Sequence, residues 1–569
     1  MAKSLKSKSG SRGKKSSQKK SATNESFGFL KDKPDDEKTL SRKTFFILGL
    51  FIVLLAFFIR TYHLSSIPAG VYPDEAVNGT DALTANASHH WKLFYTNNNG
   101  REGLFMNLIA LGFTLFGVSV VTLKMWSVLA GTLTVLGMIL LGEELFRSRR
   151  AGLIAGFLTA TTFWAINFSR ISFRASLLPF VLVFTIFFLI RGIQKKKIID
   201  YAIAGMFFGL GTYTYIAFRI APLILIVLLA AFIISRKRFL ATHWKEIAAF
   251  SFAMILVALP MLVNFAIHPE LFTSRTGEVS VFNPAVNGGH LLLTIGASFG
   301  KTLAEFNFYG DQNWRQNLPT QPELPIIIGM FFLAGLFYSI YEFFYLLYRR
   351  IKSGERSERL ILVSLLLSWF FVMLLPAAMT YEGIPHALRS IGSMPAALLI
   401  AVFSIEAAFK WAGRYRKAKF KKAVYALLTV AIIGSGLLST KMYFVDWGQS
   451  EESHQAFNQN FMNMAKYINN LPVGLSKYVV TNGGGKETED GLPVSAQVIK
   501  LFTYGKTANI FYVKPDFDPS AIKKPSQIIL MGYDDDLMAR IETAFPGANF
   551  EKIDPQPGFG TDFATIRIK

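Results

Sequence analysis

Apolar segments long enough to cross a membrane recur through most of this 569-residue chain. A transmembrane helix needs about 20 mostly apolar residues, because the hydrocarbon core of a bilayer is about 30 Å thick. The composition agrees, with 51% hydrophobic and only 17% charged residues. The pattern predicts a polytopic α-helical membrane protein with about eleven spans. The predicted spans are 43–62, 122–145, 150–168, 175–193, 200–218, 220–235, 245–267, 325–349, 359–376, 387–409 and 423–441.

The placement of the basic residues indicates how these spans are oriented. The net charge of +22 would suit a nucleic-acid-binding protein. The Lys and Arg residues, however, occupy the N-terminal tail and the short segments between spans, as the positive-inside rule describes for cytoplasmic loops. We therefore predict a cytoplasmic N-terminus, no nucleic-acid partner, and insertion into a plasma or inner membrane. The basic segments are 146–150, 191–197, 235–238, 348–359 and 410–422.

Three regions follow from these patterns. Residues 1–42, rich in Lys, Ser and Gly, predict a disordered basic cytoplasmic tail. Residues 43–441 hold the spans, and residues 442–569 alternate β-rich runs with helical stretches, which predicts an extracytoplasmic α/β domain. The first loop, 63–121, contains the apolar segment Gly103–Gly117. This segment is short for a span and is predicted to lie flat as an interfacial helix, because a spanning segment would turn the basic loops outward.

Two adjacent acids, Asp74 and Glu75, follow Pro73 near the start of the first loop. One interpretation is structural, because acids are favoured in the first turn of a helix by its dipole. The other is catalytic, because a carboxylate pair can supply a general base or bind a metal ion. Residue types alone do not separate the two. Asp81 follows Asp74 by seven residues, about two helical turns, and would share its helix face.

Arginines on the predicted outer side form a second group of candidates. The positive-inside rule leaves few cations there. A bound anion would explain these, because the guanidinium fork matches the oxygens of a phosphate. The alternative is pairing with outer carboxylates or snorkelling towards the membrane surface. The arginines are Arg170, Arg174, Arg219 and Arg389.

Further polar candidates lie close to these arginines. Arg101 and Glu102 open the predicted interfacial helix, where Glu102 is either a first-turn acid or a third carboxylate of the same site. His386 precedes Arg389 in the last outer turn. Glu75, Glu102 and His386 are candidate ligands for a divalent metal ion, although the sequence requires no cofactor. The chain contains no cysteine, which excludes disulfides, zinc–thiolate sites and thiol catalysis.

Several of these motifs together resemble the GT-C membrane glycosyltransferases. The likeness rests on the acid pair after the first span, on GREGLFMNLIALGFTLFG at residues 100–117, and on the stretch 124–160 followed by SRISFRA at 169–175. The most similar branch contains protein O-mannosyltransferases and lipid A aminoarabinose transferases. Two features depart from it. Arg101-Glu102 stands where aminoarabinose transferases have lysine-proline, and the β-trefoil insertion of eukaryotic O-mannosyltransferases is absent.

The resemblance implies an enzyme that moves a hexose or pentose from a polyprenyl-phosphate donor to an acceptor hydroxyl on a glycan, lipid or protein. The family's acid pair falls on Asp74 and Glu75, and its outward arginines correspond to Arg170 and Arg174. The reaction would take place at the outer face of the membrane. A non-spanning helix would let the lipid chain stay in the bilayer while its head group reaches the acids.

Two other classes of function fit parts of the sequence. A transporter or flippase for an anionic lipid-linked substrate would also use outward arginines, but transporters often contain inverted repeats and midplane charges, and no repeat is visible here. A membrane scaffold that displays residues 442–569 would lose all function when that domain is truncated. We favour the transferase, because the polar candidates gather at one membrane edge.

Overall fold

Long apolar helices dominate the computed structural model of the chain. The described residues are 40–273, 280–381 and 383–569. Within them, nine helices are long and apolar enough to cross a membrane. They coincide with nine of the predicted spans, and the other two, 150–168 and 200–218, contain shorter helices. The predicted class, a polytopic α-helical membrane protein, is confirmed, whereas the predicted tail 1–42 lies almost wholly outside the described residues.

The helices are numbered in chain order. The first ten are α1 (Arg42–Thr61), α2 (Pro73–Ser88), α3 (Leu104–Phe116), α4 (Val120–Phe146), α5 (Arg149–Thr161), α6 (Phe163–Phe168), α7 (Leu177–Lys195), α8 (Ile198–Leu210), α9 (Pro222–Ser235) and α10 (Phe239–Ile267). The next seven are α11 (Pro269–Thr273), α12 (Pro284–Asn287), α13 (Leu291–Ala304), α14 (Ile326–Ser353), α15 (Glu358–Ala378), α16 (Met394–Gly413) and α17 (Ala418–Lys441). The last four are α18 (Glu451–Ala456), α19 (Gln459–Asn470), α20 (Gln497–Thr503) and α21 (Asp535–Ala544).

Small residues and serine caps explain how α4 and α5 form a tight pair. Ser119 and Ser148 precede the two helices, and each side-chain oxygen accepts a hydrogen bond from a first-turn backbone N–H. A Cβ atom placed on Gly142 of α4 would lie 3.0 Å from the Cα atom of Gly152 in α5. Such close backbone approach is how helices associate in lipid, where apolar burial alone gives no preference for protein over lipid.

The first loop folds back on itself beside the helix bundle. Two short strands, β1 (Phe94–Tyr95) and β2 (Arg101–Glu102), pair antiparallel between α2 and α3. Helix α3 has 13 residues, which gives a length of about 20 Å and is too short for a bilayer core of about 30 Å. The hairpin returns the chain to α2, and this brings Arg101 and Glu102 next to the helix that carries the acid pair.

The C-terminal region contains the predicted α/β fold. Its five strands are β3 (Ser476–Val480), β4 (Ile510–Val513), β5 (Ser526–Leu530), β6 (Asn549–Ile553) and β7 (Phe563–Ile568). They form one sheet in the order β4-β3-β5-β7-β6. Strand β3 is parallel to both β4 and β5, whereas β7 is antiparallel to β5 and β6. The sequence predicted four of these strands and missed β6, whose residues are mostly exposed or half-buried.

The C-terminal region shares its hydrophobic core with the first loop. One cluster of buried side chains joins Ala76 of α2 and Phe105 of α3 to Val479 of β3 and Leu501 of α20. The approach is close at Gly79 in α2, where an added Cβ atom would lie 2.5 Å from a methyl group of Leu501. The domain is therefore packed against the helix that carries Asp74 and Glu75.

Candidate active site at the first loop

The acid pair lies in the first turn of α2, and its two members have different environments. Tyr72 caps the helix, Pro73 is its first residue, and Glu75 occupies the third position. The Glu75 carboxylate accepts hydrogen bonds from the backbone N–H groups of Tyr72 at 3.1 Å and Ser172 at 2.6 Å. It is fully buried, and this burial raises the pKa of the Glu75 carboxyl, although the charge of Lys124 and both N–H groups oppose the shift. Glu75 thus ties α2 to the turn after α6.

Asp74 is half-buried. Within the described residues, its side chain makes no hydrogen bond or ion pair. Its negative charge acts on the Arg101 guanidinium and on the Tyr72 hydroxyl, which places all three in one electrostatic group. Of the two adjacent acids, Asp74 is therefore the one with carboxylate oxygens available to a ligand.

Arg101 connects the hairpin to the same face of α2. Its guanidinium donates to the side-chain oxygens of Asn78 and Asp81 and, at 3.1 Å, to the carbonyl oxygen of Asn97. Asp81 also accepts a 2.7 Å hydrogen bond from the Asn97 amide. Burial raises the pKa of the Asp81 carboxyl and lowers the pKa of Arg101, and their mutual attraction opposes both shifts. The predicted face of α2 thus contains a closed polar network.

Glu102 brings two of the predicted arginines together. Its carboxylate accepts a 2.8 Å hydrogen bond from Nε of Arg174 and lies 3.5 Å from a terminal nitrogen of Arg219. The Arg174 guanidinium also stacks over the Tyr215 ring at 5.4 Å. Glu102 is 3% exposed, so the triad is largely desolvated. Two cations with one carboxylate leave one positive charge in excess, which would attract an anion. We call Asp81, Arg101, Glu102, Arg174 and Arg219 the arginine–carboxylate cluster.

Arg170 has a different position from the other predicted arginines. Its guanidinium donates to the carbonyl oxygens of Ile59, Tyr62 and Ile67 at distances of 2.6 to 2.8 Å. These bonds hold the end of α1 and the chain that follows it. The predicted phosphate role for Arg170 is therefore not favoured by its contacts, because its terminal nitrogens are already bound to the backbone.

Arg389 and His386 lie in a second polar group rather than beside Glu102. The Arg389 guanidinium donates to the Thr380 hydroxyl at 2.9 Å, and Nδ1 of His386 is 3.9 Å from the Asp311 carboxylate. Asp311 also accepts hydrogen bonds from the backbone N–H groups of Asn313 and Ala387. These contacts associate the last predicted arginine with the loop 280–325.

Three buried acids dominate that second group, which we call the buried acid cluster: Glu305, Asp311 and Glu323. Burial raises the pKa of Glu305 to about 8 and that of Asp311 to about 6. Burial, together with the charges of the other two acids, raises the pKa of Glu323 well above its usual value. Glu305 and Glu323 therefore favour the protonated form, whereas the charges of Arg315 and Arg389 oppose the upward pKa shift of Asp311.

Sequence reasoning missed Lys124 and found in Arg315 only a polar candidate of the loop 268–324 without a pattern. Lys124 at the start of α4 is fully buried, its charge acts on Glu75, and its ammonium group donates to the Gly70 carbonyl oxygen at 3.3 Å. Arg315 stacks over the Tyr72 ring at 4.0 Å. Lys124 looks like an ordinary end of a span, and Arg315 lies in a loop without a motif. Only the fold brings either residue next to the acid pair.

The predicted metal ligands do not converge. Glu75 is bonded to two backbone N–H groups, Glu102 to two arginines, and His386 lies near Asp311. Among the residues that the structure describes, no group of three or more His, Asp or Glu side chains is arranged to hold a metal ion. The three candidate ligands predicted from the sequence therefore lie in separate groups.

A protein family matches the chain in sequence, and solved structures match it in fold. Residues 104–282 match the family model described as dolichyl-phosphate-mannose-protein mannosyltransferase. The structure aligns with ArnT from Cupriavidus metallidurans in the apo state over 92% of this chain and 98% of that chain, with 11% identity and a TM-score of 0.51. The same protein bound to undecaprenyl phosphate aligns with equal coverage and identity and a TM-score of 0.50. No curated protein sequence matches significantly.

These matches identify the fold. The chain has the fold of the GT-C membrane glycosyltransferases, and the resemblance to the branch with protein O-mannosyltransferases and aminoarabinose transferases is confirmed. Its described residues contain nine helices long and apolar enough to cross a membrane, which fits an integral membrane protein. The identity of 11% establishes the fold alone, so the donor, the acceptor and the roles of individual residues rest on the site itself.

Proposed function

We propose that the protein transfers a sugar from a polyprenyl-phosphate donor to an acceptor hydroxyl at the outer face of the membrane. The observation that carries this proposal is the available Asp74 carboxylate beside Arg101, with Arg174 and Arg219 held together by Glu102. A base and an excess of positive charge are the two elements that this reaction needs. The likeness to a protein solved with bound undecaprenyl phosphate supports the lipid-phosphate donor.

In the proposed reaction, Asp74 accepts the proton of the acceptor hydroxyl. The acceptor oxygen forms a bond to C1 of the sugar, and the bond from C1 to the phosphate oxygen breaks with its electron pair on that oxygen. Polyprenyl phosphate leaves, and the guanidinium groups of Arg174 and Arg219 stabilise its developing charge. Glu102 orients both arginines but remains paired with them. Glu75 holds the first turn of α2, so that its neighbour faces the acceptor.

The proposed orientation places this site outside the cell and the N-terminus in the cytoplasm. Its support is the basic residues at the helix ends away from the first loop, which follow the positive-inside rule. Several of them pair there with acids: Arg150 with Glu406, and Arg236 with Glu358. A protease or labelling assay on sealed vesicles would test the orientation independently of activity.

The substitution Asp74→Asn tests the proposed function most directly. Purified protein is incubated with labelled polyprenyl-phosphate sugars, and label is followed into glycan, lipid and protein acceptors. We expect the wild-type protein to transfer label and Asp74→Asn to lose about 100-fold or more of the rate, because general base catalysis contributes that much. The thermal stability of the variant should stay close to that of the wild type.

The matched control is Asp554→Asn, which removes an exposed carboxylate from the C-terminal domain. It should retain the wild-type rate. A fully active Asp74→Asn variant would remove Asp74 from the reaction. Labelled lipid that crosses the membrane with its sugar still attached would instead favour the transporter alternative.

A further inference from the structure

The C-terminal domain presents to the first loop the edge of its sheet at which similar folds bind ligands. In open α/β sheets the ligand crevice lies beyond the carboxyl ends of parallel strands, where the strand order reverses. Here β3 lies between β4 and β5, and the loops after β3 and β5 form that edge. Asn482 joins the two loops, because its side chain both donates to the Gly532 carbonyl oxygen at 2.8 Å and accepts from the Gly532 N–H at 2.9 Å.

The loop after β3 is bound to the hairpin of the first loop. The backbone N–H of Glu489 donates a 2.8 Å hydrogen bond to the Asn97 side-chain oxygen. The Glu489 carboxylate accepts from the Thr96 hydroxyl and lies 3.8 Å from the ammonium group of Lys92. Lys486 donates to the Asn99 side chain. These contacts join parts of the chain that are almost 400 residues apart.

Asn97 transmits this contact to the active site. Its side-chain amide nitrogen donates to Asp81 at 2.7 Å, and its backbone carbonyl oxygen accepts from Nε of Arg101 at 3.1 Å. Arg101 and Asp81 also pair directly. Asn97 is only half-buried, and the next two residues, Asn98 and Asn99, have positive φ angles of 52° and 65°. The Glu489 N–H therefore holds the side-chain amide of a half-buried residue in this turn.

We propose that the Glu489 turn of the C-terminal domain, acting through Asn97, is a positioning element that holds Arg101 in the transferase site. This inference rests on the proposed function. The domain then contributes to the reaction itself and is more than a docking module for acceptors. Two contacts with the domain flank Arg101: the polar one at Asn97, and the apolar one at Gly79, where α2 meets Leu501.

The geometry of the turn allows one hydrogen bond to be removed selectively. The Gly491 N–H donates to the Thr488 carbonyl oxygen at 2.9 Å, so residues 488–491 form a β-turn in which Glu489 is second. Proline is favoured at that position and has no N–H. Glu489→Pro therefore removes the donor to Asn97 and keeps the turn. Glu489→Ala is the matched variant, since it keeps the donor and removes only the carboxylate.

Both variants are compared with the full-length wild type in the transfer assay. We expect Glu489→Pro to lower kcat about tenfold with KM values within about twofold, because a misplaced positioning group affects the reacting geometry more than ground-state binding. Glu489→Ala should show a smaller loss, about twofold.

Amide hydrogen exchange of residues 94–102 gives a readout that needs no activity. Glu489→Pro should exchange faster there than Glu489→Ala, and exchange within the C-terminal domain should be unchanged. If Glu489→Pro fails to fold, Asn97→Ala removes the same connection from the other side and should produce the same loss of kcat. Equal exchange and equal kinetics in the two Glu489 variants would overturn the positioning role. Inactive wild-type protein with faster exchange in Glu489→Pro would instead refute the proposed function and retain the structural connection.

Discussion

The two polar clusters of this protein differ in how their buried carboxyl groups are compensated. In the arginine–carboxylate cluster every acid faces a cation: Asp81 pairs with Arg101, and Glu102 with Arg174 and Arg219. In the buried acid cluster, Glu305 and Glu323 are fully buried and their pKa values are raised by burial. Arg315, whose charge acts on Asp311, stacks over the ring of Tyr72 at the start of α2.

The difference lies in whether a buried carboxyl group has a cation beside it. Taking an ion out of water is costly unless a partner and hydrogen bonds compensate for the lost hydration. The first cluster meets that condition, because each of its acids has an arginine partner. The second does not meet it for Glu305 and Glu323, and protonation neutralises these carboxyls instead. A network of charges near the bilayer is thus a stronger indication of a phosphate site than acids alone.

The largest expected effect comes from breaking the paired cluster with Glu102→Gln. This change leaves Arg174 and Arg219 adjacent without a counter-charge. Removing one partner of a buried ion pair costs about 3–5 kcal/mol. We expect a clear drop in the free energy of unfolding in detergent, measured by chemical denaturation. The matched change in the other cluster, Glu305→Gln, should be neutral or stabilising at pH 8. Similar losses in both variants would contradict the comparison.

A smaller effect is expected for Glu75→Gln, which tests the acid that is held by backbone groups. A glutamine offers one oxygen, so one of the two N–H groups of Tyr72 and Ser172 loses its acceptor. An unsatisfied buried donor costs about 1–3 kcal/mol. We expect lower stability and a transfer rate per folded molecule close to that of the wild type. A loss of rate as large as that of Asp74→Asn, at unchanged stability, would restore Glu75 to the reaction.

A third effect is the pH dependence of stability that the buried acid cluster produces. The folded protein keeps a proton on Glu305 up to about pH 8, whereas the unfolded chain releases it near the ordinary value of 4.5. Raising the pH between these values therefore favours the unfolded chain. We expect the melting temperature of the wild type to fall from pH 5 to pH 8, and Glu305→Gln to show a shallower fall. Parallel profiles would indicate that Glu305 is ionised in the folded protein.

Most of the fold could be predicted from the sequence, because the bilayer imposes a length and a composition on each span. Nine of the eleven predicted spans coincide with helical segments long enough to cross a membrane, and the other two, 150–168 and 200–218, contain shorter helices. Strand β6 was missed, because Asn549–Ile553 carries no apolar alternation strong enough to indicate a strand. The β1–β2 hairpin was missed as well, since its strands have two residues each.

The site was only partly predictable, because most of its contacts join distant segments. The candidates Asp74, Arg101, Glu102, Arg174 and Arg219 were found from residue type and predicted side of the membrane. Their grouping depends on the hairpin and on the turn after α6, which no spacing rule describes. Arg170 carries the same sequence signal as Arg174, four residues away, yet its guanidinium binds backbone carbonyl groups.

The sequence by itself determined that the chain spans a membrane, that its first loop carries an acid pair, and that its last region is an α/β domain. Those properties follow from local composition and periodicity. The tertiary structure decided which acid is available and which arginines share a carboxylate. It also decided that the C-terminal domain reaches the site through Asn97. The physical reason is that burial and pairing are properties of the packed chain, and the chemistry of a charged side chain depends on both.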